Sequence, residues 1–121
     1  MKFRELIKKV QVHSGFSDTE SKDALEMMVE SLAVHLTEGE RKDFASQLPQ
    51  ELQDIALAVR ATEKNSRQDI LEQFMEMQGV NRARAKKQIL SAWKALKEAI
   101  SLGEVEHIRS QLPNNVVAFL H

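Results

Sequence analysis

Displaced by 64 positions, this 121-residue chain lies over itself without a gap, and that self-match limits its fold more than any other feature. The strings GERKDFASQLP at Gly39–Pro49 and GEVEHIRSQLP at Gly103–Pro113 come into register, as do Gly15 with Gly79, Lys22 with Lys86 and Leu32 with Leu96. Apolar positions fall on apolar ones: Leu6 on Ile70, Val10 on Phe74, Leu25 on Ile89, Phe44 on Ile108, Leu52 on Val116 and Ile55 on Phe119. Self-similarity at one fixed offset marks a repeated supersecondary unit. A fold for this chain must therefore accommodate the same unit twice, over residues 1–60 and 65–121, within a length that suits one domain.

The unit is helical. Only four glycines and two prolines occur, and β-branched or aromatic runs of the kind strands favour are missing. Phe3, Leu6, Ile7 and Val10 recur at helical spacing, and Gly15 suits a left-handed helix end. Ser17 with Glu20 reads as a capping box opening a long helix striped by Leu25, Met28, Val29, Leu32 and Leu36. Thr37 with Glu40 opens a third helix bearing Phe44 and ending near Leu48; Pro49 is placed as first residue of a fourth, lined by Leu52, Ile55, Ala56 and Val59. The second unit repeats the plan. Ser66 is the expected cap for a helix with Ile70, Leu71, Phe74 and Met77. Asn81 caps the long helix of Ile89, Ala92, Trp93, Leu96 and Ile100, Ser101 with Glu104 restarts the chain, and Pro113 opens a last helix with Val116, Val117, Phe119 and Leu120. The expected fold is all-α: a compact orthogonal bundle of about eight helices, built from two four-helix repeats related by pseudo-two-fold symmetry, in a single domain over 1–121.

The shared motif has a structural reading. Thr37 and Ser101 accept from the backbone at Glu40 and Glu104, whose carboxylates bond back; Gly39 and Gly103 allow a tight corner; Leu48 and Leu112 are core; Pro49 and Pro113 turn the chain. Gln47 and Gln111 have no role in this scheme except to tie a corner's backbone. The doubled Gly-Glu corner followed by Ser-Gln-Leu-Pro resembles the bacterial family catalogued as domain of unknown function 2267, over nearly the whole chain. The resemblance implies a compact helical domain in a bacterial cytoplasm and brings no catalytic residues with it.

Chemistry-bearing patterns are sparse. The absence of cysteine excludes disulfides and thiolate ligands. No two of the four histidines stand at i, i+3 or i+4, and the one Glu-x-x-His, Glu104 to His107, has no second pair as a di-iron bundle would want. P-loop, dinucleotide, HExxH and GxSxG strings are missing. No catalytic, cofactor or metal residues are expected, and no enzyme activity. The N-terminus has no apolar stretch of signal-peptide kind and nothing approaches a membrane span, so a cytoplasmic protein without a membrane partner is expected.

Function is more promising where the copies differ. The long helix opens with Ser17-Asp18-Thr19-Glu20-Ser21-Lys22-Asp23 in one unit and Asn81-Arg82-Ala83-Arg84-Ala85-Lys86-Lys87 in the other. Residues 1–60 carry 8 basic and 11 acidic side chains, residues 61–121 carry 9 and 7. Acidic groups suit a helix N-terminus and basic ones oppose its dipole. Three explanations stand: a solvated face; association in which Asp18, Glu20 and Asp23 meet Arg82, Arg84, Lys86 and Lys87, between molecules or within one; or an anionic partner at the basic corner. A net charge of −1 and the lack of interleaved aromatics argue against nucleic acid, which remains the alternative to a protein partner, self or other. Trp93 belongs to the core or edges a groove between units, and Met27, Met28, Met75 and Met77 fill the core or line an adaptable groove.

Overall fold

The computed structural model describes residues 1–62, 67–118 and 120; Ser66, Phe119 and His121, for which the sequence suggested a cap, a core position and a lone histidine, lie outside the described residues. Seven helices of nine residues or more are present among the described residues: α1 (Phe3–Ser14), α2 (Asp18–Ala33), α3 (Glu38–Ser46), α4 (Gln50–Ala58), α5 (Ile70–Gln78), α6 (Arg82–Ala99) and α7 (Leu102–Gln111). A single turn, α8 (Asn114–Val117), follows. None of the described helices is long and apolar enough to cross a membrane.

The helix ends follow local chemistry closely. Ser17 and Thr37 each form a complete capping box, with Glu20 and Glu40 as the returning carboxylates. Asn81 Oδ1 accepts from the Arg84 N–H at 2.8 Å, opening α6. Gly15 and Gly79 end α1 and α5 at φ 76° and 62°, in the left-handed region that costs other residues about 1–2 kcal/mol.

Four sequence expectations are corrected. Asp69 caps α5 through the Leu71 N–H at 2.7 Å, a role expected of Ser66. Pro49 and Pro113 stand one residue outside α4 and α8, with extended ψ of 156° and 150°; each carbonyl accepts the first helical N–H bonds, so the ring's missing donor is harmless there. Leu36 is buried but lies beyond α2, which ends at Ala33. Gly39 and Gly103 make no corner: both lie in the first turn of a helix at negative φ, and a Cβ on either would meet nothing within 4 Å.

One cluster of buried apolar side chains draws on every described helix. The repeat partners Leu6 and Ile70, Val10 and Phe74, Leu25 and Ile89, Phe44 and Ile108, Leu48 and Leu112, and Leu52 and Val116 are all buried. Trp93 is 0% exposed and belongs to this core, as do Met27 and Met28. Met77, expected on the buried stripe of α5, is 62% exposed: it stands one residue from the helix end, while Met75 of the same turn packs against the core. The long helices α2 and α6 pack on each other, and α1 packs against both. A buried hydrogen bond from Ser31 Oγ to Gln73 Oε1 ties α2 to α5.

Candidate functional site

The first turns of α2 and α6, which the sequence marked as oppositely charged corners, meet within one chain. Glu20 occupies the third position of α2 and Arg84 the third position of α6, 64 residues on. One oxygen of Glu20 accepts the Ser17 N–H at 2.9 Å and the other pairs with the Arg84 guanidinium, so a single carboxylate closes its own helix and receives the opposing cation. Both partners are partly exposed, and such a pair contributes at most about 1 kcal/mol.

Arg84 also lies over the ring of Phe16, its guanidinium carbon 4.1 Å from the centroid, with the Lys87 ammonium 5.5 Å away. Phe16 is held in place by its N–H bond to Ser14 Oγ and by Gln11, whose side-chain amide donates to its carbonyl. The cations that oppose the dipole of α6 are thus partly offset by a carboxylate and a ring face.

The remaining corner residues are not gathered at this point. Arg82 and Lys86 are exposed on the first turns of α6. Asp18 lines a cleft of about 440 Å³ with Phe3, Arg4, Lys8, Lys22 and Glu51. Asp23 lines a different groove, of about 360 Å³, with Glu26, Met27, Glu30, Ile55 and Met77.

Beside Asp23, which the sequence marked, that second groove holds Glu26 and Glu30, which it did not. Asp23, Glu26 and Glu30 recur at i, i+3 and i+7, which puts three carboxylates on one face of α2. The signal was available in the self-match: the equivalent positions of α6 are Lys87, Leu90 and Lys94.

The duplicated motif behaves differently in its two copies. At the first, Glu40 accepts the Thr37 N–H at 2.8 Å, and its second oxygen bonds His107 Nε2 on α7, also at 2.8 Å. The backbone bond from Thr37 holds the Glu40 carboxyl below its ordinary range, with smaller support from the Thr37 hydroxyl and His107. At the second, Ser101 accepts the Glu104 N–H at 3.1 Å, but its own N–H donates at 2.7 Å to Gln47 Oε1, from the other unit.

Gln47 thus ties backbone at a helix start, as the sequence suggested, and its amide oxygen takes the place expected of the Glu104 carboxylate. Glu104 Oε1 is left buried without a hydrogen-bond partner among the described residues. Burial pushes this carboxyl up; His107 opposes the shift, and the nearby carboxylates of Asp43 and Glu40 add to it. Among the described residues Gln111 bonds only its neighbour, Ser110 Oγ, at 3.4 Å. Among the described residues no three His, Asp or Glu side chains converge as a metal ion would require.

The family model described as an uncharacterized conserved protein (DUF2267) matches residues 3–119. The chain belongs to this family. No curated protein matches it. The matched range includes both copies of the Gly-Glu and Ser-Gln-Leu-Pro motif.

Proposed function

We propose that this DUF2267 protein is a non-enzymatic interaction or assembly module: one domain over residues 1–121, in which units 1–60 and 65–121 form an eight-helix bundle with pseudo-two-fold symmetry. Contact between Glu20 and Arg84, equivalent residues of the two units, supports that symmetry, because a residue meets its own equivalent only beside the axis.

The observation that carries the functional reading is that the copies differ most in exposed charge. Asp23 and Glu30 on α2 are replaced by Lys87 and Lys94 on α6, all four exposed. Burial accounts for the shared leucines and helix ending for Gly15 and Gly79; neither accounts for a reversal of sign on two solvent-facing rows. Opposed charged surfaces steer and select protein partners.

Regulation through nucleic acid or another polyanion bound at residues 82–87 is the second reading, favoured by exposed Arg82 and Lys86. The engagement of Arg84 with Glu20 and of Lys87 with Phe16 lowers the charge that corner can offer.

Reversal of Arg82, Lys86 and Lys87 to Glu tests both readings. A protein-association module loses a stoichiometric partner or changes its sedimentation at low salt. A mobility shift of DNA or RNA by the unaltered protein, abolished in the variant, favours the polyanion. No change in any of the three measurements removes both.

A further inference from the structure

The acidic groove beside α2 has properties that folding does not explain. Asp23–Glu26 and Glu26–Glu30 are like-charge pairs at i, i+3 and i, i+4, an arrangement that works against a helix. Among the described residues none of the three carboxylates receives a hydrogen bond or an ion pair from another side chain. Beside them the groove is lined by apolar side chains of three helices, with Met27 of α2 buried, Ile55 of α4 half-buried and Met77 of α5 standing out into solvent. Methionine in such a place adapts its shape to an incoming side chain.

The chain itself carries the complementary surface. Lys87, Leu90 and Lys94 repeat the i, i+3, i+7 spacing on α6, with both lysines exposed and Leu90 half-buried between them. No carboxylate lies against Lys94 among the described residues. The two rows do not meet in one molecule: among the described residues no ion pair joins them, and Lys87 lies instead 5.5 Å from the centroid of the Phe16 ring, which leaves its ammonium exposed for a further partner.

We propose that the groove of Asp23, Glu26, Glu30 and Met77 receives the Lys87–Leu90–Lys94 ridge of a second copy of this chain. The lysines meet the carboxylate row and Leu90 covers the methionine floor. Groove and ridge are different surfaces, so each copy offers one of each, and the contact either pairs two copies reciprocally or runs head-to-tail as a chain or ring. This deepens the assembly reading and rests on it.

The experiment is sedimentation velocity on the full chain at low salt over a range of concentrations, with circular dichroism as a check on folding. The unaltered protein is expected to associate, as a dimer or larger, as concentration rises and to dissociate when salt is raised. The pair E26K/E30K and the pair K87E/K94E should each sediment as monomers alone and associate when mixed, since the mixture restores opposite charges across the contact. M77Q changes no charge and alters an exposed side chain, and should weaken association roughly tenfold.

A monomer at every concentration overturns the proposal. Association untouched by either charge reversal, or by M77Q, overturns it too. If the unaltered protein is monomeric yet a defined basic protein binds the groove, self-docking is wrong and the interaction module stands.

Discussion

The corner at Thr37–Glu40 and the corner at Ser101–Glu104 are the same motif with different bonds. In the first, the carboxylate returns to its own cap and the helix start is finished locally. In the second, Gln47 from the other unit reaches the Ser101 N–H, and the carboxylate that should have done so is stranded. The two copies share the bond from the cap hydroxyl to the N–H three residues on, and diverge at the return bond, for which a neighbour from the other half competes. A duplicated sequence thus guarantees a duplicated helix start, and leaves open which acceptor completes it.

The largest test of this likeness lies in the core. Trp93 and Val29 occupy equivalent positions and are each 0% exposed, but the indole fills far more space. Trp93→Ala is expected to cost about 3–5 kcal/mol in urea unfolding, against about 2 kcal/mol for Val29→Ala. Equal losses would mean that the core is shared evenly between the units.

Glycines give the next contrast. Gly15→Ala and Gly79→Ala should each destabilise by about 1–2 kcal/mol, because both sit at positive φ. Gly39→Ala and Gly103→Ala should instead stabilise by about 0.5–1 kcal/mol, since both are helical and open to solvent. A loss at Gly39 or Gly103 would restore the view that the motif needs glycine for its corner.

Gln47 and Gln111 sharpen the comparison at its centre. Gln47→Ala removes the acceptor of the Ser101 N–H and should cost about 1 kcal/mol. Gln111→Ala, which loses only a long bond to Ser110, should stay within about 0.5 kcal/mol of the parent. Similar costs at both positions would mean that the glutamine serves the motif equally in each unit.

The smallest effect is one of pH. Glu40, held low, contributes stability that is present above its unfolded pKa and is lost as pH falls through its folded one. Glu104, held high, has the opposite sign: its contribution is complete below the unfolded pKa and disappears as pH rises through the folded one. Glu104→Gln should therefore gain stability over the parent on going from acid to neutral pH, and Glu40→Gln should lose it. Chemical unfolding across that range decides between these signs, and parallel curves for the two variants would contradict the asymmetry.

Much of this molecule was determined by sequence alone, and the reason is distance along the chain. Capping at Ser17, Thr37 and Asn81, the left-handed ends at Gly15 and Gly79, and the buried stripes of α1, α2 and α6 all depend on residues within one or two turns of each other. Periodicity and cap chemistry read such features directly. The two charged corners were legible as charge, and so was the alternative that they meet within one chain.

Tertiary structure decided the rest. Glu20 and Arg84 could have faced different partners until the packing of α2 on α6 put equivalent positions in contact. Asp18 and Asp23, five residues apart, went to separate clefts because they project from different sides of α2. The exposure of Met77, the bond from Ser101 to Gln47 and the stranded oxygen of Glu104 each depend on which helix end lies beside which, over separations that no local rule spans.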